Sequence, residues 1–364
     1  MGSDGPVRAL VVDDSSFMRT LISDILEAGG IDVVGEAANG VDAVDQVEDL
    51  HPDVVTMDVE MPEMDGVEAV RALMSTSPTP VLMLSAHTEA DADVTFAALE
   101  EGAVDFFPKP GGEISIEMNR FRDQLVEKVL VVANSTVTPG TPDGAALGGQ
   151  ELRGTDPGPL PGDGVLVIGA STGGPKIVES ILGALPAEPG LTVLVVQHMP
   201  AAFTSRFADR LHRASTYTIA EASEGDPLEP GRGYVAPGDR HLLITRNRSG
   251  APAVALSEAP RVNGARPSID RTMSSVAEQV TEPTVAVILT GMGRDGAAGV
   301  EAVASVDGWV IAQDEPTSAV NGMPQRAIET GDVDSVLPAN EIARGILEGL
   351  SSLAADSRGD SSHV

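Results

Sequence analysis

The chain has 364 residues, no cysteine and a formal net charge of -32 at pH 7. The missing cysteines exclude disulfides, thiolate metal sites and a cysteine nucleophile, and a surface this acidic argues against nucleic-acid binding because it repels phosphate. Single cores rarely exceed ~250 residues, and neither a signal peptide nor a run of ~20 apolar residues is found, so we expect a soluble cytoplasmic protein with two domains.

From about residue 6 to residue 132, short apolar runs alternate with amphipathic stretches. The runs begin with VRALVVDD and end with DFFPKP, and a segment with helical periodicity follows each of them. Five strand and helix pairs in alternation predict a parallel α/β sheet. We therefore assign residues 1–132 to a first domain.

Residues 133–164 have a different composition. Five of these 32 residues are Pro and eight are Gly, above the ~25–30% share that marks flexible low-complexity sequence. We expect a flexible linker here. The alternation resumes at Val165 and continues to about Ser352, which predicts a second α/β domain over residues 165–352. Residues 353–364 are expected to form a polar tail.

Polar side chains stand where three strands of the first domain end. Asp13 and Asp14 end LVVDD, Asp58 ends VVTMD, and Lys109 lies in FFPKP. Open parallel sheets place their sites at this edge, where three carboxylates repel one another unless a hard cation such as Mg²⁺ lies between them. With the metal in place, one carboxylate can attack a phosphoryl group. Lys109 would pair with the phosphoryl oxygens, and Ser85 could donate a hydrogen bond to them.

This ordered set resembles the receiver domain of two-component response regulators, including the stretch DVEMPEMDG that begins at Asp58. The resemblance implies a flavodoxin-like fold with Asp58 as the phosphorylated residue. It implies that Asp14 and the backbone carbonyl of Glu60 bind the metal, and that Asp13 acts through water. Phe106 matches the aromatic switch residue of the family. A helix cap is the commoner role of one aspartate at a strand end, but it does not account for the whole set.

The stretch VLVIGASTGGPK, residues 165–176, allows two interpretations. A phosphate-binding loop needs G-x-x-x-x-G-K-[ST], but Pro175 stands where the lysine belongs, and the fingerprint G-x-G-x-x-G is absent. In the favoured alternative, a buried strand leads through Gly173 into a helix that begins near Pro175. Ser171 would then lie near a helix N-terminus, where developing negative charge is stabilised. A serine nucleophile also needs a base and an orienting carboxylate.

Two further apolar strands supply both groups. LTVLVVQH ends in His198, and TVAVILTGMGRDG carries Asp295 in the glycine-rich loop after the strand. If these strands are neighbours, Ser171, His198 and Asp295 meet at one edge of a parallel sheet. The chain order differs from that of the α/β-hydrolases, which disfavours that family. His212 and His241 lack such companions, and we interpret them as structural.

The motifs IGASTGG, QHMP, YVAPGDRH, RPSID and LTGMGRDGAAG together resemble the catalytic domain of the CheB-type chemotaxis receptor methylesterases, and a receiver domain before it is that family's arrangement. For residues 165–352 we expect a doubly wound parallel α/β fold. The resemblance makes Ser171 the nucleophile, His198 the general base and then acid, and Asp295 the orienting carboxylate. It places the oxyanion hole at the backbone around Met292 and adds Thr172 to the site.

The function that the resemblance implies is phosphorylation-regulated hydrolysis of glutamate methyl esters on methyl-accepting chemotaxis receptors. Receptor glutamines could be deamidated by the same acyl transfer. Mg²⁺ in the receiver domain is the expected cofactor, and ester hydrolysis itself is expected to need none. A chemotaxis histidine kinase would be the phosphodonor. We expect no nucleic-acid partner and no membrane-embedded segment. The protein is expected to be cytoplasmic and to be recruited to receptor clusters at the membrane.

Two other classes of function stay open from the sequence. A response regulator with a DNA-binding output would need a basic recognition helix, which the sequence does not show. A non-catalytic docking module on receptors would keep the fold without the complete Ser, His and Asp set. Only three of the 23 basic residues are lysines, and an acidic, lysine-poor surface is typical of halophilic proteins. We therefore expect a halophilic archaeal source, with an acidic mesophilic protein as the alternative.

Overall fold

The computed structural model describes residues 5–85, 89–109, 117–135, 164–186 and 190–359. The chain divides into two compact units within the Gly/Pro-rich segment, and each unit has its own sheet. Residues 136–163, which hold most of the expected linker, lie outside the described residues, as does the end of the expected tail. Across the described ranges, no helix is long and apolar enough to cross a membrane.

The first unit is a five-stranded parallel sheet with helices between its strands. The strands are ordered β2-β1-β3-β4-β5, the order of flavodoxin-like sheets, which confirms the fold expected for this domain. The elements are β1 (Arg8–Val12), α1 (Ser16–Ala28), β2 (Asp32–Ala37), α2 (Gly40–Leu50), β3 (Val54–Asp58), α3 (Gly66–Thr76), β4 (Val81–Ser85), α4 (Glu89–Glu100), β5 (Asp105–Pro108) and α5 (Glu117–Ala133).

The three central strands β1, β3 and β4 are buried over nearly their whole length. Such strands are continuous apolar runs because both faces of a parallel sheet are covered by helices. The strand order reverses between β1 and β3, so the loops that follow these two strands flank a crevice at the carboxyl edge of the sheet.

The second unit contains a larger parallel sheet and a separate hairpin. Its strands are β6 (Gly164–Ala170), β7 (Leu191–Gln197), β8 (Thr218–Glu221), β9 (Arg232–Val235), β10 (His241–Arg246), β11 (Pro252–Ser257), β12 (Thr284–Ile288), β13 (Trp309–Gln313) and β14 (Ser335–Leu337). Its helices are α6 (Gly174–Ala184), α7 (Ala201–Ala214), α8 (Ile269–Gln279), α9 (Ala297–Ala304), α10 (Gly322–Ile328) and α11 (Ile342–Gly359).

The seven parallel strands have the order β14-β13-β12-β6-β7-β9-β8, and β10 pairs with β11 in a two-stranded antiparallel hairpin. The chain begins with β6 near the centre, builds to one side, and later returns to add β12 on the other side of β6. This is the doubly wound arrangement that the sequence predicted. The reversal opens a crevice at the ends of β6 and β12, the usual place of a site in such sheets.

The last helix extends further than expected. Residues from 353 onward were assigned to a polar tail, and α11 is helical to Gly359, so the last helix continues into the first part of that segment. Ile342, Ile346 and Leu350 recur at every fourth position and are buried, which anchors the helix on the sheet. Beyond this anchor the sequence has no Pro and no Gly before Gly359, so nothing interrupts the helix.

Candidate active site

Ser171 lies in the tight turn that joins β6 to α6. The Gly174 amide donates to the Ser171 carbonyl at 2.9 Å and closes the turn. Gly173 has φ 74°, a left-handed conformation that glycine adopts without strain. Pro175 stands in the first turn of α6, where its missing N–H costs nothing. The chain therefore folds here as a strand, a turn and a helix, as the sequence predicted.

Two buried polar side chains hold this turn from opposite sides. Gln197, the last residue of β7, donates from Nε2 to the Ser171 carbonyl at 2.8 Å. Thr290, just after β12, donates from Oγ1 to the Thr172 carbonyl at 2.9 Å. The Thr290 hydroxyl also accepts from the Val320 amide at 2.9 Å. Leaving a buried polar group unpaired costs about 1–3 kcal/mol, so these bonds favour a single arrangement of the turn.

His198 and Asp295 form a hydrogen-bonded pair beside the turn. Nε2 of His198 lies 2.9 Å from Oδ2 of Asp295, and the histidine side chain is 19% exposed. The His198 amide donates to the Ala170 carbonyl at 3.0 Å, which fixes its backbone next to the residue that precedes Ser171. When Nε2–H donates to the carboxylate, Nδ1 is the ring nitrogen that can accept a proton.

The Asp295 carboxylate receives hydrogen bonds on both oxygens. Oδ1 accepts from the Ser268 hydroxyl at 2.9 Å and from the Asp270 amide at 3.2 Å, and Oδ2 accepts from the Ile269 amide at 2.8 Å. Burial by itself would raise the pKa of Asp295, but the bond and charge interaction with His198, together with the two amides, lower the pKa below its ordinary value. Asp295 is therefore an ionised partner for His198 at neutral pH.

The loop that carries Met292 packs against the turn at Ser171. A Cβ added at Gly291 would lie 2.7 Å from the Ser171 Cβ, so the backbone at this point passes directly beside the serine. The Gly291 amide donates to the Val320 carbonyl at 2.9 Å, and Thr172 is buried. The structure thus brings together all five catalytic-domain residues that the sequence singled out.

The polar residues that support the site were not identified from the sequence. Two of them, Ser268 and Asp270, lie in the motif RPSID, but no role was predicted for them. They share burial and hydrogen bonds to the turn, to Asp295 or to each other, and they are Gln197, Ser268, Asp270, Thr290 and Gln313. A long polar side chain at the end of a mostly apolar strand, as in LTVLVVQ and WVIAQ, is the signal that could have found two of them.

The two histidines interpreted as structural, His212 and His241, contact backbone carbonyls. His241 is buried and its Nε2 lies 3.2 Å from the Pro260 carbonyl oxygen, while Nδ1 of His212 lies 3.1 Å from the Tyr217 carbonyl oxygen. Burial lowers the pKa of His241, which favours its neutral form. These contacts agree with the structural interpretation of both residues.

The first unit gathers its acidic residues at the edge where β1 and β3 end. One carboxylate oxygen each of Asp13, Asp14 and Asp58 lies within 4.8 Å of the others. Nζ of Lys109 contacts Oδ2 of Asp13 at 2.8 Å and Oδ1 of Asp58 at 2.6 Å. The sequence prediction that these four residues share one cleft therefore agrees with the structure.

This cluster has the donor chemistry of a magnesium site. Burial raises the pKa of Asp58 although Lys109 opposes the shift, and hydrogen bonds to Asp13 and Asp58 raise the pKa of Lys109 although burial opposes it. One ammonium group faces three carboxylates, so a divalent cation would neutralise the remaining charge. Carboxylate oxygens are the ligands Mg²⁺ prefers, and Glu60, two residues after Asp58, is exposed at the same strand end. The residues present fit Mg²⁺.

Ser85 and Phe106 lie on the strands next to this cluster. Ser85 is buried at the end of β4, where its carbonyl accepts from the Lys109 amide at 2.7 Å and its hydroxyl accepts from the Thr95 hydroxyl at 2.8 Å. Phe106 in β5 is buried and packs edge-on against Phe96, with ring centroids 6.2 Å apart. Both residues are thus placed beside the backbone that carries Lys109.

Comparison with known proteins finds relatives of both units. Residues 9–118 match the response regulator receiver domain, and residues 166–346 match the CheB methylesterase domain. A protein-glutamate methylesterase/protein-glutamine glutaminase of Haloarcula marismortui is 50% identical over 369 residues, covering 95% of this chain and 98% of the relative. The same-named protein of Halobacterium salinarum is 52% identical over 350 residues, covering 94% and 98%. That of Pyrococcus horikoshii is 42% identical over 350 residues, covering 94% and 93%.

These similarities extend over both units and across the segment between them. Two of the relatives come from halophilic archaea, in keeping with the acidic and lysine-poor composition. The sequence identities and the two domain matches therefore show that the chain belongs to the CheB-type protein-glutamate methylesterase/protein-glutamine glutaminase family, with a receiver domain followed by a methylesterase domain.

Proposed function

We propose that this chain hydrolyses glutamate methyl esters on methyl-accepting chemotaxis receptors and deamidates receptor glutamines by the same chemistry. The observation that carries the proposal is the His198–Asp295 pair, with 2.9 Å between Nε2 and Oδ2, at the strand end next to the turn with Ser171. The relatives named for these two activities supply the substrate class. Because Ser171, His198 and Asp295 are all present, we favour an enzyme over a docking module without catalysis.

In the proposed mechanism, Ser171 is the nucleophile and His198 is the general base. Nδ1 of His198 takes the hydroxyl proton as Oγ bonds to the ester carbonyl carbon, and the C=O electron pair moves onto the oxygen. Asp295 holds the imidazole in the required tautomer and stabilises the imidazolium. When the tetrahedral intermediate collapses, the C–O bond to the methoxy group breaks, and His198 gives the proton to the leaving group, which departs as methanol.

Water completes the reaction. His198 accepts a proton from the water that attacks the acyl-enzyme, the bond to Ser171 Oγ breaks, and the proton returns to the serine. The product is a receptor glutamate. For a glutamine side chain the same steps release ammonia in place of methanol. Each event adds a negative charge to the receptor.

The oxyanion of the tetrahedral intermediate would lie between two backbone elements. The backbone around Met292 passes beside Ser171, as the 2.7 Å approach of a Cβ at Gly291 to the Ser171 Cβ indicates. The N-terminus of α6 begins three residues after Ser171 and carries partial positive charge. Thr172, whose carbonyl is held by Thr290, keeps this part of the turn in place. Preorganised backbone donors of this kind stabilise developing negative charge.

Asp58 is the proposed phosphorylation site of the receiver domain. Asp13, Asp14 and Asp58, with the backbone carbonyl of Glu60, would hold Mg²⁺. When bound, the ion would neutralise charge on the transferring phosphoryl group. A chemotaxis histidine kinase is the proposed phosphodonor. Ester hydrolysis at Ser171 is proposed to need no cofactor.

Lys109, Ser85 and Phe106 are the proposed response elements of the receiver. Lys109 already contacts Asp58 and would pair with the phosphoryl oxygens, and the Ser85 hydroxyl would donate to them. The Ser85 carbonyl accepts from the Lys109 amide at 2.7 Å, and we propose this bond as the link between the two residues. We propose that the receiver restrains the methylesterase until Asp58 is phosphorylated. The proposed place of action is the cytoplasm, at membrane receptor clusters.

The test measures methyl groups on receptors in membranes by mass spectrometry. The wild type is expected to remove them, whereas Ser171→Ala and His198→Ala are expected to leave them in place with an intact fold. Ser249→Ala is the matched control, because Ser249 is an exposed serine of the β10–β11 turn in the same domain. Near-normal turnover by Ser171→Ala would show that another residue is the nucleophile, and an inactive wild type would refute the proposed function.

A further inference from the structure

Two helices of the methylesterase domain are capped reciprocally: a carboxylate at the start of each helix accepts hydrogen bonds from the N-terminus of the other. Asp295 stands before α9 but caps α8, since it accepts from the amides of Ile269 at 2.8 Å and Asp270 at 3.2 Å. Asp270 stands in the first turn of α8 but caps α9, since its Oδ1 accepts from the amides of Gly296 at 2.8 Å and Gly299 at 2.9 Å. Each carboxylate thus accepts from two of the backbone N–H groups at the start of the other helix.

The reciprocal capping forms a closed ring of bonds around the base of the catalytic loop. Gly296 directly follows Asp295, so the bond from its amide to Asp270 fixes the backbone of Asp295. The amide of Asp270 returns a bond to the Asp295 side chain. Backbone and side chain of one residue are therefore both held by Asp270.

The N-cap residue of α9 provides no side-chain cap of its own. The N-cap residue of α9 is Gly296 with φ 103°, which has no side chain to accept a hydrogen bond. At Gly299 an added Cβ would lie 2.7 Å from the Cβ of Met273 on α8. The two helices therefore touch along their first turns, and the carboxylate of Asp270 reaches α9 across this close contact.

A charged residue at this position carries an electrostatic cost. Burial raises the pKa of Asp270, and the neighbouring charge of Asp295 raises it further, against the amides of Gly299 and Gly296. An asparagine at position 270 could accept the same two amide bonds without repelling Asp295. Asparagine is therefore the conservative replacement that keeps the bonds from Asp270 to α9.

We propose that Asp270 is a positioning residue, which holds the loop of Asp295 so that the Asp295 carboxylate stays on Nε2 of His198. This inference rests on the proposed function, in which His198 is the base. Asn263 sets the orientation of Asp270, since its Nδ2 donates to the second carboxylate oxygen at 2.8 Å. Asp270 contacts neither His198 nor Ser171 by any hydrogen bond found in the described residues, so its effect passes through Asp295.

The first test compares three variants of the full chain on methylated receptor membranes. Asp270→Ala is expected to lower kcat on the order of 10²-fold with KM nearly unchanged, because a displaced catalytic group slows the chemical step. Asp270→Asn is expected to recover most of this loss, since its side-chain oxygen can accept from Gly296 and Gly299, and the Asn263 amide can turn to accept. Val276→Ala is the control for lost stability, because Val276 is buried on the same helix.

Two outcomes of this comparison would overturn the inference. One is that kcat falls no further in Asp270→Ala than in Val276→Ala when the two variants show the same fall in melting temperature. The other concerns a double-variant cycle. In an Asp295→Ala background, Asp270→Ala is expected to slow the reaction by less than about threefold, because residues that act as a unit are not additive. An undiminished effect in that background would mean that Asp270 does not act through Asp295.

A measurement without receptor separates this inference from the proposed function. Hydrogen exchange of the Ile269 amide reports whether Asp295 stays in place, since this amide donates to Asp295 Oδ2. Asp270→Ala is expected to exchange faster at Ile269 than Val276→Ala does. Equal protection in the two variants would refute the positioning role even if the enzyme is active, whereas an inactive wild type with the expected exchange would refute only the methylesterase proposal.

Discussion

Replacing Thr290 with valine is expected to destabilise the methylesterase domain and to slow its reaction. Valine keeps the shape of the side chain but removes Oγ1. That atom donates to the Thr172 carbonyl at 2.9 Å and accepts from the Val320 amide at 2.9 Å. Because Thr290 and Thr172 are buried, water cannot easily take the place of the missing hydroxyl.

The magnitude follows from the two groups that lose their partner. A buried polar group without its partner costs about 1–3 kcal/mol, and because Val320 is only partly buried, we expect about 3 kcal/mol for the pair. Domains of this size lose about 2–4 °C of melting temperature per kcal/mol, which gives a fall of about 6–12 °C. The carbonyl that is released belongs to the residue after Ser171, so kcat should fall on the order of tenfold.

The assay uses the fluorescence of Trp309, the single tryptophan of the chain. It lies in β13 and therefore reports unfolding of the methylesterase domain rather than of the receiver. Thr290→Ser is the matched control, because it keeps the hydroxyl and loses one methyl group, at about 1 kcal/mol. If Thr290→Val and Thr290→Ser melted within about 2 °C of each other, the hydroxyl would not hold the turn and the reasoning would be refuted.

Three further outcomes are expected. The chain has a net charge of -32, and salt screens the repulsion among these charges because the Debye length falls from ~30 Å at 0.01 M to ~3 Å at 1 M. The melting temperature should therefore rise steeply with KCl, and a flat dependence would contradict the halophilic interpretation. The folded-state pKa of Asp295 lies below 3.8, so its contribution to stability is present above about pH 4 and is lost as the pH falls through the folded value. The difference in melting temperature between the wild type and Asp295→Asn should therefore shrink below about pH 4, and a constant difference would exclude this ionisation. Asp58→Ala should abolish the stimulation of ester hydrolysis by a small-molecule phosphodonor, whereas Asp45→Ala, at an exposed position, should leave it unchanged. Stimulation that survives in Asp58→Ala would mean that another residue is phosphorylated.

The strands that carry the site could be predicted because each is a short apolar run with a polar residue after it. β6 and β7 are buried at every position, and burial on both faces of a parallel sheet produces this pattern. The sequence left open whether the three strands are neighbours. β6 lies between β7 and β12, an order set by packing between segments far apart in the chain.

The support of Asp295 could not be predicted because its local pattern has another explanation. Ser268 and Asp270 look like the N-cap and first turn of their own helix, and the Ser268 hydroxyl does accept from the Arg271 amide at 3.4 Å. Their bonds to the loop of Asp295 cross more than twenty residues of chain. Only the packing of α8 against α9 shows this second role.

The central strand β6 is synthesised long before one of its two neighbours. β12 starts at Thr284, whereas β6 ends at Ala170, and translation at ~5–20 residues per second takes about 6–23 s over this distance. In that interval β6 presents an apolar strand with an open edge, to which another nascent chain can pair. Asp295 is also still missing. Under the proposed mechanism, a chain on the ribosome therefore lacks its orienting carboxylate in the same interval in which its risk of aggregation is concentrated.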